Sequence, residues 1–330
     1  MTERALALLL AAGFLGCRHE PRAPAGPALR LSVSLSQTAQ IFHIVDQLSA
    51  WSPYCHAQYA KWFALNHPLD ADDRKLLADH AALRARHGWG QGLEQSFYVD
   101  LPIEAAVAAA VEQRRLLPEE AASERRVLAH FAPVLQDVLE LERPLLEDLR
   151  ARILAMEPQI EEQARSFARL VETDRSIELK VFLVANPDRQ AAGGGYSGGR
   201  MVIEAPGDLD IGDEFARHGA FDAFLTLRGR DIEKAAFRCD GLDTETLHEA
   251  LAYAWSPGLA HARAGDPLAR EVEAAKAKPL TNPYVRFRRL ALALRGPLDQ
   301  ALRNGGKLES VLKEACPRWQ ALQAIPAEPR

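Results

Sequence analysis

The longest helical pattern in the chain, Pro118 to Glu172, constrains the fold more than any other feature. It starts with a proline followed by two glutamates, which is typical of a first helical turn. Apolar residues then recur at helical spacing. Pro133, Pro144 and Pro158 interrupt the pattern, and a proline inside a helix costs about 3 kcal/mol. The stretch therefore predicts two or three helices, or one kinked helical path.

The pattern changes at Ser176. Ile177 to Val184 is rich in β-branched residues and predicts a strand, and Arg200 to Glu204 predicts a second strand. The glycine-rich Gly193 to Gly199 between them is expected to be a flexible loop, so the strands would form a hairpin or lie side by side. Because helical patterns dominate elsewhere, the predicted fold class is α+β, predominantly helical, with a small sheet in the C-terminal half.

The N-terminus resembles the signal peptide of a bacterial lipoprotein. A polar start is followed by an apolar run of about ten residues, Ala5 to Phe14, which is too short to span a bilayer. Gly16 then precedes Cys17, which the resemblance identifies as the lipidated residue and mature N-terminus. An ordinary cleaved secretory signal is the alternative. Both interpretations predict export, and the lipoprotein interpretation places the protein in the cell envelope with the membrane as a partner.

Four regions are expected along the chain. Residues 1–16 form the signal peptide, and residues 17–29 form a proline-rich tether that cannot be helical. Residues 30–175 form a helical N-terminal part, and residues 176–330 form the part that contains the sheet. These last two parts can belong to one domain.

The net charge and the cysteine content limit which partners and which redox chemistry can be expected. The net charge of −5 gives no electrostatic reason to expect nucleic acid as a partner. After Cys17, the cysteines are Cys55, Cys239 and Cys316, none of them in a C-x-x-C pair. Export permits disulfides, and an odd number leaves at least one thiol unpaired. Two arrangements remain open: one disulfide and one buried thiol, or three buried thiols.

An incomplete metal-binding motif lies further along the chain. A zinc peptidase of the H-E-x-x-H type carries two histidines four residues apart on one helix, with a glutamate beside the first as general base. Here His248 and Glu249 match, but Ala252 occupies the position of the second histidine. Alanine cannot coordinate a metal.

Several segments in the same order resemble a family of bacterial proteins of unknown function that carry a gluzincin-type metallopeptidase motif. They are Tyr59 to Pro68, the glycines at 193–195, the motif at 248–252, and Asn282 to Arg286. The resemblance covers roughly residues 30–300. It implies a sheet lying against the motif helix, a third zinc ligand from a later helix, and a zincin-like C-terminal part. The third ligand would be a glutamate, but Pro283 or Tyr284 occupies its position.

Three hypotheses follow. In the leading one, His248 and Glu249 are vestigial, no cofactor is bound, and a groove between the 200–204 strand and the motif helix takes a peptide or protein segment by strand addition. In the second, the protein is an active zinc peptidase whose ligands are His248, His261 and Glu271 or Glu273. In the third, it is a structural envelope lipoprotein unrelated to zincins.

Overall fold

A computed structural model of the protein describes residues 28–324, except 53–54, 89, 188–192, 206–208, 256–279 and 281. The described residues form a four-stranded sheet and a larger number of helices. The α+β, predominantly helical fold class is therefore confirmed. Within the described ranges, no helix is long and apolar enough to cross a membrane.

The N-terminal half is almost entirely helical. Ser36 caps the first helix, because its hydroxyl accepts a hydrogen bond from the Ala39 amide at 3.2 Å. The elements before the second strand are β1 (Leu29–Ser34), α1 (Gln37–Leu48), α2 (Ala57–Asn66), α3 (Ala71–His87), α4 (Gly92–Phe97), α5 (Ile103–Glu112), α6 (Pro118–Ala155) and α7 (Glu157–Leu170). The predicted 118–172 stretch is thus two helices, and α6 keeps Pro133 and Pro144 in its interior.

The C-terminal half supplies the rest of the sheet and a second group of helices. Its described elements are β2 (Ile177–Val184), β3 (Gly193–Ser197), β4 (Arg200–Glu204), α8 (Leu209–Thr226), α9 (Gly229–Phe237), α10 (Thr244–Trp255), α11 (Pro283–Arg303) and α12 (Leu308–Gln323). Helix α10 packs along α11, and α11 packs against α12. A disulfide between Cys239 and Cys316 joins the end of α9 to α12, while Cys55 is free.

The strand order in the sheet is β1-β2-β4-β3. Strands β1, β2 and β4 are parallel neighbours, and β3 pairs antiparallel with β4 at the edge. The expected flexible loop at 193–199 is therefore wrong over Gly193–Ser197. A Cβ on Gly193 would lie 2.2 Å from a Glu204 carboxylate oxygen, and one on Gly194 would lie 2.1 Å from the Val202 carbonyl oxygen. Glycines are required there because β3 packs closely on β4.

The sheet separates two apolar cores. Phe182, Val184 and Val202 point into a core built by α1 to α5 and the first half of α6. Their neighbours Val181, Leu183 and other alternate residues point into a second core built by α7 to α12 and the end of α6. This alternation is the two-residue period of a strand buried on both faces. Helix α6 contributes to both cores.

Candidate functional site

Helix α10 carries the two motif residues, His248 and Glu249, on a partly solvent-exposed face. Asp243 caps α10, since its carboxylate accepts a hydrogen bond from the Thr246 amide at 2.6 Å. His248 and Glu249 are partly exposed, whereas Ala252 is 0% exposed inside the C-terminal core. The position that would hold a second zinc ligand therefore lies among apolar side chains.

The helix against the sheet is α8, which packs on β2, β3 and β4 and also on α10. The implied arrangement, in which the sheet lies against the motif helix, is therefore wrong, because α8 lies between the sheet and α10. Helix α8 carries His218 and Asp222, which are four residues apart and share one face. The Asp222 carboxylate lies 2.5 Å from His248 Nε2 across the two helices. Sequence analysis predicted neither α8 nor these two residues.

Glu249 is the most perturbed acid of this cluster. Burial raises its pKa, and the negative charges of Asp222 and Glu245 raise it further, to about 7, although His248 opposes the shift. A carboxyl group with a pKa near neutrality exchanges protons readily at physiological pH. Burial alone would lower the pKa of His248, but the hydrogen bond and the charge of Asp222 outweigh it, so that the pKa is raised.

His218 lies one turn before Asp222 on α8. Burial lowers its pKa, which favours the neutral ring. The ring packs edge-on against Tyr253 at a centroid distance of 5.2 Å and hydrogen bonds to the backbone of Ala252. His218 is therefore held by contacts with α10, and its ring orientation is fixed by packing.

The edge strand β3 lies beside the same cluster. Tyr196 on β3 is partly buried, and its pKa is raised by burial and by the nearby charge of Asp222. Gly194 and Gly195 are exposed. The expected groove between Arg200–Glu204 and the motif helix is wrong, because β4 is an inner strand flanked by β2 and β3. The strand edge near the cluster belongs to β3.

The cluster does not match a zinc centre. Within the described residues, no three His, Cys, Asp or Glu side chains are placed to hold one metal ion. Asp222 already bonds to His248, and His218 already bonds to a backbone group. Pro283 begins α11 and is exposed, and the side chain of Tyr284 is not described. His261, Glu271, Glu273 and Cys17 lie outside the described residues.

A second polar network, which sequence analysis also missed, is buried on the opposite face of the sheet. Glu204, at the end of β4, bonds to His43 at 2.9 Å. On α3, His80 bonds to Asp46 and Glu124 at 3.0 Å each. Burial alone would lower the pKa of His80, but the two carboxylates raise it to about 9. These residues are almost fully buried and fully paired, so the network fixes the positions of α1, α3 and α6.

No family model matches the chain, and neither the curated proteins nor the solved structures include a significant match.

Proposed function

We propose that this protein is an exported, lipid-anchored protein of the bacterial cell envelope that binds an extended peptide or protein segment without cleaving it. The observation that carries the proposal is the edge of β3, whose exposed glycines lie beside the Asp222, His248 and Glu249 cluster.

The strand edge supports recognition through the main chain. An extended peptide can add a strand to a sheet edge, with backbone hydrogen bonds supplying affinity and side-chain contacts supplying specificity. Gly194 and Gly195 have no side chains to obstruct such an approach. Every second side chain of the added strand would point towards the α8 face, where the partly exposed His248 and Glu249 offer polar contacts.

The ligand positions support the proposal that the protein does not cleave what it binds. A catalytic zinc takes three protein ligands and a water. Of the three positions implied by the resemblance, only His248 has a ligand side chain, Ala252 is buried, and position 283 is an exposed proline. Without a metal-bound water, Glu249 has no activated nucleophile to generate.

Metal analysis separates the proposal from the alternative enzyme. Protein purified without chelator should contain no stoichiometric zinc, and it should not cleave a fluorescent casein substrate. Stoichiometric zinc that is lost in His248→Ala would instead support an active zinc peptidase with ligands among His248, His261, Glu271 and Glu273.

Hydrogen exchange tests peptide binding at the strand edge. Peptides selected from a random extended library should slow amide exchange in Gly193–Ser197 and leave β1 unaffected. Tyr196→Pro removes a backbone donor from the free edge of β3, because the register turns the amides of 193, 195 and 197 towards β4. Tyr196→Ala is its matched control, since it removes the same ring and keeps the amide. Weaker binding is expected for the proline variant alone. If selected peptides protect no part of β3, the proposal fails and a structural envelope role gains support.

Export has its own support and its own test. The disulfide between Cys239 and Cys316 fits an oxidising compartment outside the cytosol. Expressed in a bacterial host, the full chain should fractionate with membranes and carry a lipid on Cys17. The Cys17→Ser chain should lose the lipid. Recovery of the unsubstituted chain as a soluble, unlipidated protein would contradict the anchor.

A further inference from the structure

An open cavity of about 490 Å³ lies in the N-terminal half, away from the cluster around His248. It is lined by the end of α3, the start of α4 and the turn after α5. Its polar lining consists of three arginines, one histidine and two glutamines. These residues are Arg86, Arg114, Arg115, His87, Gln91 and Gln95.

The cavity carries uncompensated positive charge. One carboxylate, Glu120, serves both Arg86 at 3.4 Å and His87 at 3.2 Å. Arg115 donates a hydrogen bond to the Gln95 carbonyl, which carries no charge. Arg114 pairs with no carboxylate among the described residues. The cavity is therefore locally positive in a chain whose net charge is −5.

The walls of the cavity are held in place by close packing. A Cβ on Gly92 would lie 2.5 Å from the Arg115 carbonyl oxygen and 3.0 Å from His87 Nδ1, so only glycine fits there. Arg114 has a left-handed backbone with φ of 55°, which glycine adopts more easily than arginine. The Arg115 amide bonds to the Ala110 carbonyl at 2.9 Å and closes this turn. The turn therefore fixes two adjacent arginines at the cavity.

We propose that this cavity binds a phosphate group, either free as a phosphomonoester or on an anionic lipid headgroup. Guanidinium groups present planar pairs of N–H donors that match phosphate oxygens, and such charge-assisted hydrogen bonds are the stronger class. The Gln91 side-chain amide supplies a neutral donor beside them, whereas the Gln95 amide already donates to the Gly90 carbonyl at 2.9 Å. The lining residues include no acidic side chain, and Glu120, which pairs with Arg86 and His87, offsets only part of the charge of the three arginines.

The test compares soluble and membrane-bound phosphate. Full-length chain carrying Cys17→Ser is titrated calorimetrically at low salt with inorganic phosphate and glycerol 3-phosphate. Flotation then compares vesicles of phosphatidylcholine with and without phosphatidic acid. Arg114→Gln keeps a polar side chain, although a shorter one, and removes its charge. Arg238→Gln is the matched control, because Arg238 is also exposed and lies outside the cavity.

Saturable binding of soluble phosphate that weakens about tenfold in Arg114→Gln, but not in Arg238→Gln, supports a free ligand; tenfold corresponds to about 1.4 kcal/mol. The same contrast seen only with phosphatidic acid supports a headgroup. If no phosphate form binds, or if both variants bind as the unsubstituted chain does, the proposal is overturned. Circular dichroism of both variants checks that the fold is intact.

Discussion

Replacing Glu249 with glutamine tests the electrostatics of the candidate site. Glutamine keeps the size of the side chain and removes its titration. Glu249 is partly buried on α10 next to Asp222 and Glu245, and burial with these two charges raises its pKa from 4.5 to about 7. The folded protein therefore holds the proton on Glu249 more tightly than the unfolded chain does.

The sign and the size of the effect follow from proton linkage. Between pH 4.5 and about 7, the folded state binds more protons than the unfolded state, so the free energy of unfolding falls as the pH rises. Above pH 7 the penalty is complete. A shift from 4.5 to about 7 at 1.36 kcal/mol per unit corresponds to about 3 kcal/mol. Glu249→Gln removes this penalty and should stabilise the protein by up to that amount at pH 8.

Urea unfolding at pH 4.5 and at pH 8 measures the effect. The free energy of unfolding of Glu249→Gln should match that of the unsubstituted protein at pH 4.5 and exceed it at pH 8. Glu233→Gln is the control, because Glu233 is exposed on α9 and is not among the groups that shift the pKa of Glu249. Its effect should stay within about 0.5 kcal/mol at both pH values. A destabilised Glu249→Gln at pH 8, or equal gains at both pH values, would refute the reasoning.

Four further predictions concern the cores and the cysteines. His80→Gln should cost about 3–5 kcal/mol, because it leaves the buried Glu124 without its cation; in the unsubstituted protein, the contribution of His80 is complete below pH 6.5 and is lost as the pH rises through about 9. Denaturation midpoints measured from pH 6 to pH 10 check both statements. Replacing Cys239 and Cys316 together by serine should cost about 4 kcal/mol in urea unfolding, since the disulfide closes a separation of 77 residues. Cys55 should react with iodoacetamide at pH 8 about a hundredfold more slowly in the folded protein than in urea, because burial and then the charge of Asp46 raise its pKa from 9.0 to about 11; equal rates would contradict the burial. Ala252→His should lose about 1–3 kcal/mol through overpacking and gain no zinc by elemental analysis.

Features that depend on nearby residues were predictable from the sequence. The bounds of β2 (Ile177–Val184) and of β4 (Arg200–Glu204) match the two predicted strands. The prolines in α6 show the limit of such reasoning, because packing against both cores offsets the cost of Pro133 and Pro144 within one continuous helix. Gly193–Ser197 forms a strand where the sequence predicts a loop. Its glycine-rich composition does not indicate that Glu204 and Val202 lie against it.

The candidate site was only half predictable, because its partners are distant in sequence. His248 and Glu249 were found through their motif, whereas Asp222 lies 26 residues earlier. The four-residue spacing of His218 and Asp222, together with the apolar Phe221 and Phe224, is typical of an amphipathic helix. Spacing alone does not show which helix packs against α10. Helix α8 packs against α10 because its contacts with the sheet hold it in that position.

The packing of α8 also determines whether the motif face of α10 can hold a metal ion. His248 and Ala252 share one face of α10, the face on which a zinc ion would be held. In this fold, that face is met by α8, with Asp222 bonded to His248 and His218 bonded to the backbone at Ala252. The space that a metal and a second histidine would require is therefore taken by side chains of another helix. A single substitution at 252 would not vacate that space, because α8 is held in place by its packing on β2, β3 and β4.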